Sequence, residues 1–106
     1  MKAFFIALTV LTLLICGVVV NDVYCSDVCN DVIKMTENGS YEEALEIFKR
    51  NEQLLKLSVD NGYVVEARVS LESLFDAYEH NDDYEIARYT SDSCVRIERI
   101  RKSLFI

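Results

Sequence analysis

A chain of 106 residues holds one small domain, and its formal net charge of −7 at pH 7 argues against nucleic acid or an anionic surface as a general partner. Apolar residues make up 51% of it, with no Pro, no Trp and three Gly. Almost nothing interrupts helix formation, so an all-α fold is expected.

Taken from the N-terminus, the first element is apolar. Ala3 to Val20 carries no charge over about 18 residues, close to the thickness of a bilayer's hydrocarbon core at 1.5 Å per residue. A cleaved leader and a retained signal anchor both fit such a run. The β-branched Val18, Val19 and Val20 lead straight into Asn21 and Asp22, which suits a cleavage site poorly and favours retention, with cleavage near Cys25 and Ser26 as the alternative. Lys2 precedes the run and Asp22, Asp27 and Asp31 follow it. The positive-inside rule then leaves the N-terminus in the cytoplasm and carries the rest across. The expected organisation is an anchor over residues 1–21 and an extracytoplasmic domain over 22–106.

Four helices are expected. The first runs from the anchor to about Glu37, with Cys25, Val28, Cys29, Val32 and Met35 on one apolar face. Asn38-Gly39 closes it, because Gly accepts the left-handed conformation of a helix end. Ser40 with Glu43 forms a capping-box pattern ahead of the second helix, whose stripe of Tyr41, Ala44, Leu45, Phe48 and Leu55 extends to about Val59. Asp60-Asn61-Gly62 is a turn signal. The third helix, Val64 to about Glu79, buries Val64, Ala67, Leu71, Leu74, Phe75 and Tyr78. His80 to Asp83 forms the next turn, with Asp82 or Asp83 as cap. The last helix turns Ile86, Thr90, Ser93, Ile97, Ile100 and Leu104 inward.

"NGSYEEALEIF" and "NDDYEIARYTS" match at Asn38 with Asn81, Tyr41 with Tyr84, Glu42 with Glu85 and Ala44 with Ala87. Tetratricopeptide helices start in a similar way. Their period is about 34 residues and about three repeats are needed for a core, so two helical hairpins closing as an up-down-up-down bundle explain the matches better. The succession of anchor, amphipathic helix, "YEEAL", "SVDNGYV" and "ESLFDAYEHNDDYEIA" resembles an uncharacterised family of short bacterial membrane-anchored helical proteins, known only as a domain of unknown function. The resemblance implies a tethered helical domain and carries no activity with it. Members tend to have Trp in the second helix, which this chain lacks.

Cys25 and Cys29 lie one turn apart on the first helix, and Cys94 lies beside the inner stripe of the last. Counted down from the distal turns, Cys25 and Cys29 lie about 12 and 8 residues below Glu37 and Cys94 about 11 below Asp83, so a disulfide from Cys94 to Cys25 or Cys29 is within reach in an oxidising compartment. Buried free thiols are the alternative. Cys25, Cys29 and His80 do not make a metal site, because His80 belongs to the distal turn. Acidic pairs at helix starts are accounted for by capping and the helix dipole. No phosphate loop, calcium loop or nucleophile with a base is recognisable, so neither a cofactor nor an enzymatic role is expected.

The end of the chain, Arg96 to Ile106, is basic and then apolar. A last helix of about 20 residues descends about 30 Å and returns to the lipid surface. There Arg99, Arg101 and Lys102 can meet headgroups while Leu104, Phe105 and Ile106 dip between them. The competing reading is a dipole-favoured helix end whose apolar residues join the core. The expected role is a membrane-tethered structural or interaction module at the cell envelope with a protein partner or a second copy of itself. A thiol redox or dimerising protein and a secreted helical effector are the alternatives.

Overall fold

The computed structural model describes residues 1–104, and every regular element among them is an α-helix: α1 Lys2–Glu37, α2 Tyr41–Arg50, α3 Glu52–Ser58, α4 Asn61–Glu79 and α5 Asp83–Ser103. There are five helices where four were expected, because the second is divided at Asn51. Its side chain supplies the cause. Asn51 Nδ2 donates to the Ile47 carbonyl at 2.8 Å, and Oδ1 accepts from the Tyr24 hydroxyl on α1 at 2.7 Å. Asn51 is 6% exposed, so these bonds satisfy a buried amide that competes with the regular ladder. The division is one residue wide, since Leu55 N–H already bonds the Asn51 carbonyl at 3.0 Å.

α1 is continuous from the apolar run into the domain. Its 36 residues span about 54 Å, most of the 66 Å long axis of a molecule only 21 × 18 Å across. The first half touches little else and is long and apolar enough to cross a bilayer. Its two threonines are compatible with lipid, because Thr9 and Thr12 donate their hydroxyls to the carbonyls of Phe5 and Leu8 at 2.8 and 2.9 Å. The second half buries Cys25, Val28, Cys29 and Val32, as the periodicity indicates, together with Asp22 and Thr36.

Two helix ends close alike. After α1, Gly39 takes φ +85°, Ser40 N–H bonds the Met35 carbonyl at 2.8 Å and Gly39 N–H that of Thr36 at 3.3 Å. After α4, Asn81 takes φ +53°, with Asp82 N–H on Ala77 at 3.1 Å and Asn81 N–H on Tyr78 at 3.2 Å. Both are Schellman closures. Gly39 thus corresponds to Asn81, and the pairing of Asn38 with Asn81 is out of step by one residue. Tyr41 and Tyr84 accordingly part company: Tyr41 packs edge-on against Tyr78 at 5.3 Å between ring centres, whereas Tyr84 is exposed.

Other local expectations shift. Ser40 makes no side-chain capping bond, so the capping box is not formed. Asp82 is the cap of α5, accepting from Glu85 N–H at 3.2 Å. Asp60 caps α4 through Gly62 N–H at 2.8 Å, which draws Asn61 and Gly62 into the helix and starts it ahead of Val64. Tyr78 is exposed, and Ala77 takes the buried place expected for it.

α1 packs on α2, α3 and α5, and α4 packs on the same three helices, while α1 does not meet α4 and α2 does not meet α5. Phe48, Leu55, Val64, Leu71, Ile97 and Ile100, each 0–1% exposed, fill the centre with Val32. An ion pair ties α3 to α4 at its edge, where Glu52 faces Arg68 at 3.3 Å, and Lys56 of α3 itself lies 3.6 Å from the same carboxylate.

Candidate functional site

Four places combine exposure or chemistry with a defined position: the junction of the apolar helix with the domain, the cysteines, the basic end of α5 and a polar seam between α4 and α5.

At the junction α1 leaves the apolar run and is at once tied to the domain. Asn21 Nδ2 donates to Ser58 Oγ at 2.7 Å, Asp22 is 2% exposed, and Tyr24 holds Asn51. A groove forms here, with Leu13, Leu14, Gly17 and Val18 on one side and Leu57, Ser58 and Ser103 on the other. The end of α5 does therefore descend to the level of the apolar run, as its length requires.

All four cysteines are thiols. Cys94 lines a groove with Ile33 and Glu37, one and two turns of α1 beyond Cys29, and no bridge joins the two thiols. The groove that Cys94 lines with Glu37 and Tyr41 runs along α5 from Asp83, at the end of α1 away from Cys29. Burial, with the Cys25 thiol beside it, pushes Cys29 up to about 12. Burial followed by Asp22 raises Cys25, and burial followed by Glu37 raises Cys94. Thiols held protonated are poor nucleophiles. In the folded full-length chain at neutral pH, Cys25 and Cys29 are expected to resist iodoacetamide while Cys94 reacts slowly. Mass mapping of the alkylated positions checks this, and rapid modification of Cys29 would contradict the burial.

Of the basic end, Arg101 pairs with Glu98, and Arg99 lies 5.6 Å over the Tyr63 ring and 3.8 Å from Glu66. Lys102 is exposed, and Phe105 and Ile106 lie outside the described residues. Leu104 is 6% exposed within the core, as its place on the inner stripe of the last helix indicates, and not among lipid chains. The reason is packing: α5 ends at Ser103, and the extended Leu104 turns back onto the base of the bundle.

The α4–α5 seam was not legible beforehand. Ser70 donates to Asp92 Oδ2 at 2.7 Å, and with its proton so committed it accepts from Ser93 at 2.9 Å. Arg96 completes the seam, reaching Asp92 and Glu66 at 2.9 Å each. Burial works to raise the Asp92 carboxyl, but the bonds from Ser70 and Arg96 outweigh it and hold it below its ordinary value. A carboxylate kept ionised in this way is a weak base, so the seam clasps two helices rather than activating a serine hydroxyl. Only Ser93 carried a signal, through its inward position. Ser70 reads as a neutral residue of a helix until α5 is placed against it.

His80 sits at the distal turn, where Nδ1 donates to the Asp76 carbonyl at 2.8 Å, a bond that raises its pKa, and it is not near Cys25 or Cys29. Among the described residues, no three His, Cys, Asp or Glu side chains converge as metal ligands. Comparison with known protein families, curated proteins and solved structures yields no match to this chain.

Proposed function

We propose that the chain is a single-span, membrane-tethered helical module that presents its domain to another protein of the cell envelope or to a second copy of itself. The domain is an up-down-up-down bundle in which α2 and α3 form one bent leg. The N-terminus is cytoplasmic and the bundle extracytoplasmic, following Lys2 and the acidic residues after the run. The order of elements keeps the likeness to short bacterial membrane-anchored proteins as part of this reading.

One observation carries the proposal: α1 is a single helix whose exposed apolar half has no linker before the half that builds the core. Cleavage near Cys25 and Ser26 would remove the buried Asp22 and Cys25, the Asn21–Ser58 bond and the Tyr24 hydroxyl that holds Asn51. The domain therefore depends on residues that a processed chain would lack, which supports retention. A rigid helical exit also fixes the domain's orientation to the bilayer, useful for a partner held in the same membrane.

The intact mass of the protein from its native membrane fraction tests this. The full-length mass is expected. A mass lacking the first twenty or so residues would overturn the tethered reading and make the protein a secreted bundle.

A further inference from the structure

We propose that the α3–α4 turn, led by Leu57, is a second membrane contact, lodged beside the span in the interfacial layer of the same bilayer. The inference rests on the reading of α1 as a span and adds a site to it. Leu57 is 78% exposed, more than any other large hydrophobic side chain outside α1 among the described residues, although its neighbours Leu55 and Val59 are buried. A single exposed leucine is ordinary on a protein surface. The surroundings of this one give it a place.

The groove beside Leu57 has Leu14, Gly17 and Val18 as its opposite wall. These residues lie inside the charge-free run that ends at Val20, by two to six positions, or about 3–9 Å along α1. Asn21, Asp22, Ser58 and Ser103 line the rest of it, so the groove straddles the boundary between lipid and water, the depth of an interface. The turn cannot swing away, because Ser58 is bonded to Asn21 at 2.7 Å and Val59 is packed in the core. The polar groups at this level suit an interface: Lys56 is partly exposed, with a stem long enough to raise its ammonium out of the lipid, and Asp60 faces water while capping α4. A second copy of the chain could cover Leu57 only by displacing lipid from the span at the same point. Continuity with the span therefore selects the bilayer as occupant.

The chain has no Trp, so a single substitution makes a depth probe. Full-length Leu57→Trp, Leu11→Trp and Val95→Trp variants are reconstituted in phosphatidylcholine vesicles, with and without lipids brominated near the headgroup end of their chains. Trp at 57 is expected to lose about half its emission to the bromines and to be shielded from aqueous iodide, consistent with burial of about 5–10 Å into the interface. Trp at 95, on an exposed face of α5, should show the reverse. Iodide quenching at 57 equal to that at 95, with no effect of bromine, would overturn the inference. Shielding from both quenchers would also overturn it and point to a protein cover. Trp at 11 separates the two readings: if it escapes lipids brominated deep in their chains, the span itself is wrong, whereas quenching at 11 without quenching at 57 refutes only the second contact. Because Trp itself favours interfaces, Leu57→Asp provides a check: in vesicles it should expose the amides of 56–60 to hydrogen exchange several-fold faster than in the parent chain, whereas Val95→Asp should leave those amides unchanged.

Discussion

Phe48→Ala is expected to destabilise the domain by about 3–5 kcal/mol, enough to leave it largely unfolded at 37 °C. Phe48 is 0% exposed in the central cluster with Leu55, Val64, Leu71, Ile97 and Ile100. Its removal takes away the largest side chain in that cluster, and four helices converge on the space left behind. A domain of this size has little stability in reserve, because its surface is large for its volume. Thermal unfolding of the full-length chain in a mild detergent, followed by near-ultraviolet circular dichroism of the tyrosines, provides the measurement. Far-ultraviolet signal alone would understate the loss, since the apolar half of α1 stays helical in detergent. Leu54→Ala, at a position 37% exposed, should change the midpoint little. A loss below about 1 kcal/mol for Phe48→Ala would mean that the core is not packed as described.

Leu8→Lys combined with Leu11→Lys is expected to release the protein from the membrane while leaving the domain folded. Both residues lie near the middle of the apolar run, 49% and 54% exposed, and neither belongs to the core. Each lysine costs about 2.5–3.5 kcal/mol at the centre of a span, so two together outweigh the marginal insertion energy of a run this short. Alkaline carbonate extraction followed by sedimentation separates the outcomes. The parent chain should pellet with the membranes and the double variant should appear in the supernatant. Its unfolding midpoint should match that of the parent. If the variant still pellets as a folded protein, something other than the apolar half of α1 holds the chain to the membrane.

Much of this architecture was legible because its signals are local. An uncharged run long enough to span a bilayer can be read without any neighbour, and so can the 3 and 4 spacing of Cys25, Val28, Cys29 and Val32. Gly39 could be assigned to a left-handed helix end because few other residues tolerate that conformation, and its φ is +85°. Asp82 was one of two adjacent candidates for the cap, since an acidic side chain at either position serves the same N–H groups.

The helical class, the apolar helix and the main turns were thus determined by the sequence itself, through interactions that reach no further than one helical turn. Only the tertiary structure decided the division at Asn51, because its amide is buried by a hydroxyl from Tyr24 on another helix. The same holds for Ser70, whose role appears only when Asp92 and Ser93 face it, and for Leu104, which its spacing allowed in the core or at the lipid surface and which packing places in the core. Cys94 lies against Ile33 and Glu37 and not Cys29, a register of α5 on α1 that no local signal gives. Relative height and rotation are set by how whole helix faces interlock, a sum over many small contacts that no single stretch of chain contains.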